Sequence, residues 1–154
     1  MRATPVCRWL AISLLLNLAA APVLANELIR ASAWARPSLG SSNTSVLYLW
    51  LRNNGSQPDA LVGISTPAAA RCELHVSKDD NGIVKMLPLA ELELPPLANV
   101  AMEPKGVHVM LLGLTRALKI DDHIAVTLQF KTAAPRTIDA IVQMATPAQI
   151  YGDF

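Results

Sequence analysis

The sequence predicts an all-β domain, either a Greek-key sandwich or a closed barrel. Three observations carry that expectation. Apolar and β-branched runs are short and recur about every ten residues, with turn chemistry between them. No long stretch repeats its apolar residues at the helical period. There is also no internal repeat of solenoid length and no low-complexity tract.

In chain order, residues 1–25 read as a signal peptide and not as part of the fold. Arg2 and Arg8 make a basic start, Leu10 to Ala21 an apolar stretch and Pro22 a breaker, and Val23-Leu24-Ala25 suits signal-peptidase cleavage. The apolar stretch is short for a membrane span of about 20 residues and is interrupted by Asn17, so cleavage after Ala25 is favoured over a retained anchor. No cysteine stands directly after it, which argues against a lipid anchor. A first strand is expected from Ile29 to Trp34 and a second from Val46 to Arg52, ended by Asn53-Asn54-Gly55. Pro37 to Thr44 between them is a polar loop. Leu61 to Ser65 is the third. Cys72 to Ser77 and Ile83 to Leu87 flank Asn81-Gly82, the strongest hairpin turn in the chain. Leu89 to Leu94 ends at Pro95-Pro96, which no strand interior tolerates. Val100 to Glu103 and His108 to Leu112 flank Pro104-Lys105-Gly106. Ile124 to Lys131 and Thr137 to Met144 form a closing pair. Eight or nine of these ten runs are expected to form antiparallel strands within residues 26–144, followed by a loose tail over 145–154.

Cleavage would change the balance of charge and sulfur. Without residues 1–25 the chain of 154 keeps 129 residues, enough for one domain with one core. Lys and Arg fall from 13 to 11 against 12 acids, a formal charge of −1, so there is no electrostatic footprint for nucleic acid or for an anionic membrane. Cys7 leaves as well, and Cys72 alone cannot form an internal disulfide.

The chemistry concentrates between Cys72 and Leu112. Two of the three histidines and three of the five methionines lie there. On a strand, His108 and Met110 project to the same side. With Asn81-Gly82 at the turn centre, Ser77 stands opposite Met86, and His75 is its diagonal neighbour on the same face. Each pair joins an imidazole to a thioether. Soft neutral sulfur with imidazole selects Cu(I) over zinc, calcium or magnesium. Taken singly, a strand methionine is more often core filling, and a single histidine an ordinary polar residue. The two pairs together, in a chain otherwise poor in histidine, favour a copper site. No catalytic triad ordering, phosphate loop, CxxC or HExxH motif competes with it, and the chain is not expected to be an enzyme. Asp79-Asp80 reads as a solvated turn, and His123 as an exposed residue. Met102 and Met144 read as packing.

The spacing His75-x10-Met86-x21-His108-x-Met110 resembles the copper signature of the periplasmic copper chaperones of the PCuAC type. The likeness extends over Trp34-Ala35-Arg36, Tyr48, Asn53-Asn54-Gly55, Glu73-Leu74-His75, Glu103-Pro104, Gly106 and Gly113-Leu114. It implies a cupredoxin-like fold with His75, Met86, His108 and Met110 as Cu(I) ligands. It further implies a periplasmic location and delivery towards the CuA centre of cytochrome c oxidase, with oxidase subunit II and Sco-type proteins as partners. The chain left after cleavage is not expected to insert into a membrane. Two alternatives stay open. Cys72, His75, His108 and Met110 contain the ligand types of a blue-copper electron-transfer centre, although an odd spacing sends Cys72 and His75 to opposite faces of one strand. A metal-free β-sandwich used for interaction is the other.

Overall fold

In a computed structural model of the chain, residues 28–144 are described. They form ten strands: β1 (Ile29–Ala35), β2 (Thr44–Asn53), β3 (Asp59–Ser65), β4 (Ala69–Asp80), β5 (Ile83–Pro88), β6 (Leu92–Leu94), β7 (Asn99–Ala101), β8 (Val107–Leu114), β9 (His123–Phe130) and β10 (Arg136–Val142). No helix occurs among the described residues. The expected signal peptide and tail lie outside them.

One hydrogen-bonded path runs β5-β4-β8-β2-β1-β10-β9-β3-β6, with β7 branching from β2. Its end strands β5 and β6 do not pair with each other, so the sheet is open, and it folds over until β3 lies against β4. The all-antiparallel expectation needs one correction. β1 and β10 run parallel, with Ala33 opposite Ala140 and Ala35 opposite Val142. Alternating side chains report which face is buried and not the direction of a neighbour from the far end of the chain. The strand count also exceeds eight or nine, because two short segments, Leu92–Leu94 and Asn99–Ala101, both pair.

The core follows the period-2 rule most plainly in β9, where Ile124, Val126, Leu128 and Phe130 are buried between exposed His123, Ala125 and Gln129. β2 is buried on both faces. Leu47, Leu49 and Leu51 join Val109 and Leu111 in the main core. Tyr48 alternates to the other face, where Trp34 stacks on it at 4.6 Å, a contact worth about 0.5–1.5 kcal/mol. Asn53 explains its own motif structurally. Its side-chain amide donates to Gln57 O and Leu94 O, and its Oδ1 accepts from Gly55 N–H.

Three backbone devices set the strands that matter below. Asn81 (φ 56°) and Gly82 (φ 84°) make the two-residue hairpin turn between β4 and β5. Pro104 and Lys105 (φ 71°) turn the chain into β8, with Gly106 N–H donating to Glu103 O at 2.9 Å. Gly113 lies in β8 at φ 67°, and a Cβ there would stand 3.0 Å from the Cβ of Ala70 on β4. Gly113→Ala is therefore expected to cost about 1–3 kcal/mol, read as a lower denaturation midpoint at unchanged slope.

Candidate metal centre

The pairing of β4 with β8 builds the centre. His75 stands directly opposite His108, and Glu73 directly opposite Met110. On the other side of β4, Met86 of β5 faces Ser77, one diagonal step from His75. Opposed residues share a face, as do residues two apart on a strand. All four candidate ligands therefore project to one side of the β5-β4-β8 strip. Met110 also faces Val46 of β2, and that side is the one turned away from Leu47, Val109 and Leu111.

The two imidazoles are held differently. His108 is 4% exposed. Its Nδ1 lies 3.0 Å from the carbonyl oxygen of Gly106, which also accepts the Ser77 N–H at 3.1 Å. A carbonyl can only accept, so Nδ1 carries the proton, and the lone pair of Nε2 is left inside the protein with no hydrogen-bond partner. His75 mirrors this arrangement. Its Nδ1 is buried and unpartnered, while its Nε2 stands 3.6 Å from Glu73 Oε2. Buried polar atoms are nearly always satisfied, so two orphaned nitrogens on facing residues mark a place where something else completes them.

The ring centroids are 6.1 Å apart at 64° between planes. With metal–nitrogen bonds of about 2 Å and a ring radius of about 1.2 Å, two imidazoles on one ion span up to about 6 Å between centroids. The pair is thus spaced for one shared ion at a wide angle. Met110 is half-buried beside them, and Met86 is 58% exposed on the hairpin. Two histidines, Met110 and the adjoining Glu73 are therefore contiguous, and Met86 stands at the far corner. No group of three or more His, Cys, Asp or Glu among the described residues is placed to hold a metal ion. The other candidate donors on this face, Met110 and Met86, carry soft thioether sulfur.

Cys72 lies on the opposite side of β4, across from Leu111 and packed against the core. Burial pushes its thiol above the ordinary range, with a backbone hydrogen bond to Thr66 opposing that shift in part. The thiolate is disfavoured at neutral pH, and the side chain behaves as a small hydrophobe. Cys72→Ser should leave metal stoichiometry unchanged and cost about 1–3 kcal/mol of stability, because a hydroxyl replaces a thiol in an apolar setting. Loss of one metal equivalent in that variant would restore the thiolate alternative.

The remaining candidates resolve simply. His123 is exposed, with Nδ1 paired to the Asp139 carboxylate. Asp79 accepts the Gly82 N–H and Asp80 pairs with Lys85, so both serve the hairpin tip. Met102 is fully buried, as a packing role requires. Met144 is not packing. It is 58% exposed, its sulfur lies 4.0 Å from the Arg36 guanidinium, and it lines a cleft of about 310 Å³ with Leu39, Val46 and Met110. Glu73 and the Gly106 carbonyl had no assigned role in the sequence reading. Glu73 was findable, since it lies two residues before His75 on a strand. A backbone carbonyl carries no sequence signal.

In structure the chain is similar to the copper-bound PCuAC domain from PmoF2, at 27% identity and a TM-score of 0.65, over 77% of this chain and 94% of that one. It is also similar to the solution structure of CuI-DR1885 from Deinococcus radiodurans, at 28% identity and a TM-score of 0.61, over 73% and 76% of the two chains. The fold is thus all-β and cupredoxin-like, of the PCuAC kind. The chain belongs to the LpqE-like family, whose model, described as "Putative lipoprotein LpqE-like", matches residues 29–142. Among sequence relatives, "Putative lipoprotein Lxx21020" of Leifsonia xyli subsp. xyli is 31% identical over 99 residues, spanning 64% of this chain and 58% of that protein. "Uncharacterized protein RP573" of Rickettsia prowazekii is 27% identical over 78% of this chain and 68% of its own.

Proposed function

We propose that this chain is a copper carrier that holds one Cu(I) between His75 and His108, completed by Met110 and Met86, and passes it to acceptor proteins. The observation that carries the reading is the pair of buried, unpartnered nitrogens, Nδ1 of His75 and Nε2 of His108, on directly opposed residues. Two structural neighbours, one copper-bound and one carrying CuI, support it. Two neutral imidazoles and two neutral thioethers leave the ion at +1, which favours Cu(I) over the harder Cu(II). Exposure of Met86 on one flank, and of the Met110 cleft on the other, lets an acceptor offer its own ligands stepwise. That transfer needs no redox step and no catalysed reaction.

The finer parts of the proposal rest on sequence. Residues 1–25 act as a signal peptide and the carrier works in the periplasm; the lipoprotein names of relatives support export. The PCuAC resemblance points the copper towards oxidase assembly at CuA, with subunit II or Sco-type proteins as exchange partners.

The test is a competition titration of the purified chain from Asn26 onwards under reducing conditions. One equivalent of Cu(I) should bind tightly, and a tenfold excess of Zn(II) should not displace it. Absence of Cu(I) binding would leave the metal-free sandwich as the better reading. An intensely blue oxidised form would indicate an electron-transfer centre, against the placement of Cys72 on the core side of β4.

A further inference from the structure

We infer that Glu73 is the positioning residue of the centre: it fixes the tautomer of His75, so that the two histidines present different nitrogens, Nδ1 of His75 and Nε2 of His108. The inference rests on the proposed site and extends it to a residue outside the four ligands. Glu73 sits two residues before His75 on β4 and so shares its face, directly opposite Met110. Its Oε2 is 3.6 Å from His75 Nε2, beyond a formed hydrogen bond but at ion-pair distance. The other ring nitrogen is buried without any partner.

Of the two neutral tautomers, the one with the proton on Nδ1 buries an N–H that has no acceptor and turns a lone pair towards a carboxylate. Both features are unfavourable. The other tautomer sets the Nε2 proton towards Glu73 and leaves only the Nδ1 lone pair inside. The 3.6 Å separation exceeds hydrogen-bond range by only about 0.4 Å. On His108 the Gly106 carbonyl makes the reverse choice by accepting from Nδ1. One histidine thus faces a side-chain carboxylate, 39% exposed and 3.6 Å from Arg71, and the other a backbone oxygen within a turn. Metal-bound imidazole gains donor strength when its second nitrogen donates to a carboxylate, and loss of such partners typically costs about 10–100-fold in metal affinity.

The test uses the chain from Asn26 onwards with its three histidines labelled with nitrogen-15. In the metal-free protein, long-range nitrogen–proton spectra should show His75 protonated at Nε2 and His108 at Nδ1. Glu73→Ala should lower Cu(I) affinity by about 10–100-fold, with its melting temperature unchanged. Glu73→Gln keeps an acceptor oxygen at the same reach and should recover most of that loss. A metal-free wild-type protein with His75 protonated at Nδ1 would overturn the inference, as would a Glu73→Ala variant that binds Cu(I) like wild type. Failure of the wild-type protein to bind Cu(I) while both tautomers are as stated would instead overturn the proposed function and leave the positioning of His75 standing.

Discussion

Replacing His108 by leucine is expected to remove high-affinity Cu(I) binding while leaving the fold in place. Four-ligand structural metal sites are worth about 10–16 kcal/mol, so each ligand carries roughly 3 kcal/mol, or about a hundredfold in affinity. The effect at His108 should exceed that share, because its ring is pinned and Nε2 is already aimed inward with no competing partner. Stability should change little. Leucine fills the buried space, and the Gly106 carbonyl keeps the Ser77 N–H when the imidazole is gone, so no buried acceptor is orphaned. Competition titration and chemical denaturation on the same variant separate the two effects. His123→Leu is the control, since His123 is exposed and paired with Asp139 away from the centre. Wild-type Cu(I) affinity in His108→Leu would exclude His108 as a ligand.

Much of this centre was legible before the fold, for local reasons. Asn81-Gly82 fixes a two-residue turn, a two-residue turn fixes register, and register places Met86 opposite Ser77 and diagonal to His75. Alternation along one strand similarly puts His108 and Met110 on one side and Cys72 and His75 on opposite sides. The decisive fact was not local. His75 meets His108 only because β4 pairs with β8 across an intervening stretch containing three other strands, and core packing selects that register. The same limit hid the parallel β1–β10 pair and kept Met144 in a strand that in fact ends at Val142. The orphaned nitrogens were invisible for a further reason. They depend on a carbonyl at Gly106 and a carboxylate at Glu73, one without any sequence signature and the other needing a face assignment first.

Met86→Leu and Met110→Leu should each lower Cu(I) affinity by about a hundredfold, yet they should differ in how copper leaves. Both changes preserve volume and apolarity, so the fold should lose less than about 1.5 kcal/mol at Met110 and close to nothing at exposed Met86. Their positions are not equivalent. Met110 adjoins His108 on β8, within the fold and flanked by Val46 and Glu73. Met86 lies two strands across and four residues along from it, on the order of 16 Å on a flat sheet. Only the twist and bending of the exposed β4–β5 hairpin can bring its sulfur to an ion held by the other three. On the proposed site Met86 would then be the last ligand to close and the first to open. Removing it should raise the rate of Cu(I) release to a competing chelator in proportion to the lost affinity. Met110→Leu should instead show part of its loss as slower capture, because the half-formed three-ligand site is itself damaged. Stopped-flow transfer to a chromophoric Cu(I) chelator measures both rates. Unchanged affinity in both variants would exclude the two methionines as ligands, and identical release and capture rates in the two would refute the unequal roles.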